Sequence, residues 1–319
     1  MKKSLYLSTA LFLVFLCSCT AAQNTATEIY FDTAVTITAP CSDKVLNGAF
    51  SLCEKYENTL SRTKKKSEVS LLSIGERKVS NDTLEVIKKG LYYCNYSDGR
   101  FDITISTVSD LWDFKNEIVP TRDEIAEALK NVDYESIDIS ENTVNTHGKS
   151  IDLGGIAKGY IADKLLDYFT DNGVKSGIIN LGGNVTVFGN DFYNVGIKKP
   201  FTGSDIVATV KLKNKSISTS GIYERYFVLD GGNTLYHHIL DPKTGYPAET
   251  DLLSASVIGD TSSDCDALST ICILSGLRDA KIAIENTDGF EAVFIDKDYN
   301  LSVTSGLKIK DGIITLTER

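Results

Sequence analysis

"IDLGGIAKGYIADKL", Ile151 to Leu165, joins a strand-like start to a helix-like pattern through two glycines. Gly154-Gly155 lets the backbone approach a ligand closely, and the following helix offers N–H groups and a positive dipole end to an anion. Lys158 is placed to pair with phosphate. The segment is not a Walker A loop. It lacks G-x-x-x-x-G-K-[ST], and Gly159-Tyr160 follow the lysine where Ser/Thr belongs; G-x-G-x-x-G is absent too. Asp152 would repel a diphosphate unless it faces a sugar, a base or a metal. Taken alone, the segment reads equally well as a tight strand-to-helix turn.

Helix and strand signals alternate on both sides of it. "YFDTAVTIT" alternates like a strand, and Val45, Leu46, Ala49, Phe50, Cys53, Tyr56 and Leu60 recur at helical spacing. A second helix is predicted after Asn81-Asp82. A third opens on the capping-box pattern Thr121-Arg122-Asp123-Glu124. The helix after the glycine pair carries Ile161, Leu165, Tyr168 and Phe169 on one face and stops at Asn172-Gly173. "SGIINLGGNVTVFG" reads as strand, glycine turn, strand. "ATVKLKNKSISTSG" and "LLSASVIG" are further strands, Ser263–Leu274 and Leu277–Glu285 are helices, and the end is strand-rich. The expected fold class is α+β, a single domain over residues 28–319 with mixed or antiparallel sheets and packed helices.

The chain has 319 residues, 42% hydrophobic and 24% charged, with a formal net charge of -10. No Lys/Arg stripe marks a nucleic-acid face, and Lys64-Lys65-Lys66 reads as a solvated loop. Lys2 and Lys3 precede an apolar run from Leu5 to Leu16, too short to span a membrane and typical of a secretory signal. The run ends in "LCSC", which resembles a bacterial lipobox. Residues 1–18 are then a lipoprotein signal peptide, Cys19 the lipidated residue, and residues 19–27 a polar tether. The expected location is the extracytoplasmic face of a bacterial cell membrane, held by the lipid anchor. Five scattered cysteines remain, with no C-x-x-C, and read as buried free thiols.

Two further segments carry chemistry. In "YHHILDPKTGYP", Tyr236–Pro247, neighbouring His237 and His238 point to opposite sides of a strand. A histidine beside an aspartate-bearing turn can act as proton acceptor or donor near neutral pH, but taken alone the segment reads better as holding a structural histidine. In "SDCDALSTICIL", Ser263–Leu274, Asp266 and Thr270 lie one turn apart on a helix, a pair of hard oxygen ligands suited to Mg²⁺. Ser263 or Asp264 alternatively caps that helix.

Glycine turn, H-x-x-D-P-x-T-G and D-x-x-x-T, in this order, resemble the FAD:protein FMN transferase family, the ApbE-type flavin transferases. "YENTLSRTKKKSEVSLLS", "SDGRFDITISTVSDLW", "INLGGNV" and "STSGIYERYF" are similar to other segments of that family, so the resemblance covers essentially everything after the signal. It implies FAD as substrate, Mg²⁺ as cofactor, transfer of FMN to a Ser/Thr hydroxyl of an exported or membrane flavoprotein, and release of AMP. On this sequence it places the metal at Asp266 and Thr270, with a carbonyl near Gly155 and a contribution from Ser269. It places FAD contacts at Arg100, Phe101, Asp102, Asp152, Lys158 and the backbone around Ile239, and the catalytic histidine at His238. Asp241 orders its turn; Ser220, Tyr223 and Arg225 line the flavin side.

Two cofactor-side positions depart from the family. Phe31-Asp32-Thr33 stands where Met-Gly-Thr is frequent, and Thr63 where a tyrosine is frequent. The loss of an aromatic at Thr63 weakens stacking on the cofactor and leaves open whether a protein hydroxyl or water is the nucleophile. The alternatives are therefore an FAD pyrophosphatase yielding FMN and AMP, and a flavin-binding lipoprotein without chemistry.

Overall fold

The computed structural model describes residues 23–317 apart from 204, 230, 232 and 233. The leader, Cys19 and the first part of the tether lie outside the described residues.

Eight strands form one antiparallel sheet in chain order: β1 Asn24–Tyr30, β2 Thr33–Ala39, β3 Gly177–Leu181, β4 Asn184–Phe188, β5 Lys215–Gly221, β6 Leu252–Gly259, β7 Glu291–Asp296 and β8 Leu301–Val303. "YFDTAVTIT" is thus a hairpin turn plus one strand. Phe31 and Asp32, with φ of 54° and 57°, make the two-residue connection whose twist suits a β-hairpin. The partner strand is drawn from the expected tether: "NTATEIY" pairs with β2 in register from Asn24↔Ala39 to Tyr30↔Thr33. The domain therefore begins before the expected boundary at residue 28. The polar, β-branched threonines that suggested a tether form cross-strand hydroxyl pairs, Thr25–Thr38 at 3.0 Å and Thr27–Thr36 at 2.9 Å.

The helices fall where periodicity predicts them: α1 Asp43–Leu60, α2 Asn81–Tyr96, α3 Arg122–Leu129, α4 Ala157–Asp171 and α5 Ser262–Glu285. The Thr121/Glu124 capping box is formed in both directions. Helix α5 is broken at Gly276, whose φ of 75° and ψ of 165° separate the two expected segments. Strand β6 is buried along its whole length, as expected for a strand covered on both faces. Helices α4 and α5 pack on each other, and α5 packs on β5 and β6. A four-stranded sheet with one parallel pair contributes Val210, Leu212 and Ile314 to the same core. The five cysteines of the described region are free and buried. Among the described residues no helix is long and apolar enough to cross a membrane.

A smaller core lies under the hairpin Tyr226–Leu229/Thr234–His237, built from Val108, Trp112, Ile125, Phe227 and Leu240. It matters because it fixes the chain that leaves the hairpin at His238. The Trp112 indole N–H donates to the Gly245 carbonyl at 3.0 Å, and the Asp241 carboxylate accepts from the Lys243 N–H at 2.8 Å. Asp241 thereby orders the D-P-K-T-G turn.

Candidate active site

A cleft of about 580 Å³ opens where the glycine turn, α5, the α1–α2 connection and the His238 segment meet. Phe31, Thr63, Arg100, Phe101, Asp102, Asp152, Gly155, Lys158, His238, Ile239, Asp266 and Thr270 all line it, so segments some 240 residues apart in sequence converge. Five cations, Arg62, Lys64, Arg100, Lys158 and Arg225, face the cleft of a chain that is acidic overall. Six carboxylates, Asp32, Glu57, Asp102, Asp152, Glu224 and Asp266, line the same cleft, and Lys158 is the cleft cation without an ion pair among the described residues.

The glycine turn works differently from a phosphate cradle. The Asp152 carboxylate accepts the Gly154 N–H at 2.7 Å and pairs with Arg62 at 3.1 Å. Arg62 also pairs with Asp110, and these two carboxylates hold its guanidinium above the usual range. Lys158 Nζ rests 3.3 Å from the Gly154 carbonyl. Gly155 is needed for close approach: a Cβ there would stand 2.7 Å from the Phe101 ring and 3.4 Å from Thr270 Oγ1. The N–H of Gly159, in the first turn of α4, donates at 2.9 Å to Asp266 Oδ2. The helix end expected to greet a ligand anion therefore holds the protein's own carboxylate.

Helices α4 and α5 touch at this point. An added Cβ on Gly159 would lie 2.3 Å from the Ser262 carbonyl oxygen and 2.6 Å from Ser263 Cα. Both are backbone atoms that cannot swing aside. Gly159→Ala should therefore destabilise the fold by about 1–3 kcal/mol, read as a lower urea midpoint at unchanged slope. An unchanged midpoint would show that the two helices separate freely. Next to this contact, Asp163 accepts from the Ser262 N–H at 2.7 Å, the Ser263 N–H at 3.0 Å and the Ser263 hydroxyl at 2.6 Å. The cap of α5 thus comes from α4. Asp264 instead takes Tyr93 and Lys89, at 2.7 and 2.9 Å.

Asp266 is 3% exposed, and among the described residues it forms no ion pair. Its two oxygens accept from the Gly159 N–H and, at 3.2 Å, from the Ser218 hydroxyl. A buried carboxylate held only by neutral donors keeps its charge without a cationic partner. Thr270 Oγ1 lies beside Gly155, 3.1 Å from Ser220 Oγ. No group of three or more His, Cys, Asp or Glu side chains suited to a metal exists among the described residues. A cation here would rest on one carboxylate and neutral oxygens, a hard-oxygen set that fits Mg²⁺.

Two expected site residues are placed differently. Ser269 is fully buried and does not line the cleft; its hydroxyl donates to the Asp266 carbonyl at 2.9 Å and meets Ser220 at 2.8 Å. It sits one residue round the helix from Thr270, which turns it inward. Asp102 lines the cleft, but its Oδ1 accepts from both the N–H and the hydroxyl of Thr104, at 2.7 and 2.6 Å. Burial raises its carboxyl above the usual range. It orders the turn that runs from Asp102 to Thr104 from within.

His237 and His238 do point apart. His237 is buried, its Nε2 3.1 Å from the Ala248 carbonyl. His238 faces the cleft, with its backbone N–H and its Nδ1 at 3.1 and 3.3 Å from the Arg225 carbonyl. A carbonyl only accepts, so Nδ1 carries the hydrogen and Nε2 is left with a free lone pair. Burial and the nearby Arg225 charge push the imidazolium pKa down to about 4. At neutral pH the His238 ring is neutral.

The parts played by Arg62, Gly159 and Ser218 are not visible in the sequence. Arg62 offers only a lone cation inside "LSRT" as a signal, because Asp110 and Asp152 reach it only in the fold. Phe31 and Thr63 share the cleft wall: the Phe31 N–H donates to Glu57 at 2.7 Å, and Thr63 Oγ1 meets Ser61 Oγ at 3.1 Å.

The same architecture occurs in solved structures. The ApbE protein of Thermotoga maritima matches with a TM-score of 0.81 at 29% identity, over 89% of this chain and 97% of that one. The flavin transferase ApbE of Vibrio cholerae matches in fold with a TM-score of 0.78, over 89% and 97%. The model of the ApbE family matches residues 31–294, and the chain belongs to that family. Curated relatives include the FAD:protein FMN transferase of Treponema pallidum (strain Nichols), 31% identical over 290 residues, 82% of this chain and 80% of the relative. The enzyme of the same name from Klebsiella pneumoniae (strain 342) is 31% identical over 272 residues, 82% and 85% of the two chains.

Proposed function

We propose that this enzyme is a flavin transferase that moves FMN from FAD to a Ser or Thr hydroxyl of a target flavoprotein and releases AMP. The observation that carries this reading is the meeting, in one cleft, of a neutral histidine with a free Nε2 and a buried carboxylate that has no cationic partner. In the reaction the acceptor oxygen forms a bond to the phosphorus on the riboflavin side of the diphosphate. The bond from that phosphorus to the bridging oxygen breaks, and AMP leaves with the electron pair. His238 Nε2 takes the hydroxyl proton. Asp266, Thr270 and the Gly155 carbonyl would hold Mg²⁺, which when bound offsets charge on the phosphoryl oxygens. Lys158 and Arg100 neutralise the diphosphate, and Phe31 supplies an aromatic face in a cleft where Thr63 has none.

The assay is AMP release from FAD and Mg²⁺ with and without an acceptor domain bearing an exposed Ser/Thr. Release that depends on the acceptor supports transfer. Equal release without it identifies water as the nucleophile and the protein as an FAD pyrophosphatase; tight FAD binding without release identifies a carrier.

Because His238 is already neutral well below pH 7, kcat/KM should not fall with an apparent pKa near the ordinary histidine value of about 6.5. The base is lost only as pH falls through about 4. A pH profile with its acid limb near 6.5 would show that His238 is exposed to solvent or is not the base.

The enzyme is further proposed to sit on the extracytoplasmic face of the membrane through Cys19, which supports targets that are exported or membrane flavoproteins. Cys19→Ala should move it from the membrane to the soluble fraction and abolish radiolabelled palmitate incorporation. Retention of label in that variant would rule out Cys19 as the anchor.

A further inference from the structure

Behind the cleft wall, Asn184 of the "INLGGNV" turn has no part in the chemistry above. It opens β4 and lies opposite Ser218 of β5 in register. Both are almost completely buried, and neither lines the cleft. Ser218 Oγ is 2.8 Å from Asn184 Oδ1 and 3.2 Å from Asp266 Oδ1, while Asn184 Nδ2 has no hydrogen-bond partner among the described residues. A hydroxyl has one hydrogen and cannot serve two acceptors fully. A buried amide N–H without a partner is also rarer and costlier than an under-used carbonyl.

Turning the Asn184 amide by half a rotation, which exchanges oxygen and nitrogen without changing shape, leaves the hydroxyl a single acceptor and exchanges a wholly unpartnered NH2 for an under-used amide oxygen. Nδ2 then donates to Ser218 Oγ, and the Ser218 hydrogen is committed to Asp266 Oδ1. With the Gly159 N–H on Oδ2, each oxygen of Asp266 has a fixed donor. We propose that Asn184 and Ser218 are positioning residues, a one-way hydrogen-bond relay from Asn184 through Ser218 to Asp266 that sets the carboxylate's rotation for a divalent cation. The proposal rests on the reading that Asp266 holds the metal. In this arrangement the tight turn at Gly182-Gly183 delivers Asn184 to the back of the metal carboxylate.

Outer-shell partners of this kind change metal affinity by about 10–100-fold. The test is Mn²⁺ binding to FAD-free protein, followed by the loss of the free-ion EPR signal, for the unaltered protein, Ser218→Ala, Asn184→Leu and Asp266→Ala. Ser218→Ala and Asn184→Leu should each weaken Mn²⁺ binding by about tenfold or more. In turnover they should raise the KM for Mg²⁺ while kcat at saturating Mg²⁺ stays within about twofold. FAD affinity in metal-free buffer and the unfolding midpoint verify that the variants are folded. Unchanged Mn²⁺ affinity in both relay variants, with binding lost in Asp266→Ala, overturns the relay and leaves the metal site standing. Unchanged binding in Asp266→Ala overturns the metal assignment itself, and the relay with it.

Discussion

His238→Ala is expected to lower kcat by about 10²–10⁴-fold while FAD still binds. The geometry makes the effect specific. Nδ1 is held on the Arg225 carbonyl, so only Nε2 reaches the cleft, and the imidazole is neutral when it must accept a proton. Truncation removes the acceptor but leaves the cations and the Phe31 and Phe101 rings that define the cleft. The split is read from flavin-fluorescence titration beside steady-state AMP release. If turnover survives, another group takes the hydroxyl proton; if FAD binding collapses instead, the role of His238 is to hold substrate.

Asp266→Ala is expected to abolish both activity and its dependence on Mg²⁺. In the proposed Mg²⁺ set Asp266 is the one carboxylate, beside Thr270 and the Gly155 carbonyl, and neutral oxygens alone bind Mg²⁺ weakly. Losing the cation removes several kcal/mol of stabilisation of phosphoryl charge, on the order of 10³-fold or more in rate. The buried Gly159 N–H and Ser218 hydroxyl also lose their acceptor, so a modest fall in the unfolding midpoint should accompany the catalytic loss. Activity that keeps its full response to Mg²⁺ would place the metal elsewhere.

Much of the fold is legible in the sequence because period and caps are local properties. Helices α1, α2, α4 and α5 follow from apolar spacing, and the α3 start from four residues. The hairpin at Phe31-Asp32 is not legible, since phenylalanine rarely adopts the left-handed region that both residues occupy. "NTATEIY" looks like a tether because its strand character depends on β2 beside it. In the site, the paired histidines can be read, because alternation alone places one inside and one outside. The roles of Arg62, Gly159 and Ser218 cannot, because each arises from contacts distant in sequence. Asp266 sits 107 residues from its donor Gly159 and 48 from Ser218. Ser269 is expected at the metal from the family resemblance, whereas helix geometry turns it toward Ser220.

In the proposed reaction the nucleophile is a protein hydroxyl. The most direct measurement is the intact mass of an acceptor domain after incubation with the enzyme, FAD and Mg²⁺, taken beside the amounts of AMP and free FMN. Transfer predicts an acceptor heavier by one FMN less one water, the adduct lost when its target Ser/Thr is replaced, with one AMP released per adduct and little free FMN. An unmodified acceptor with equal amounts of free FMN and AMP would contradict it.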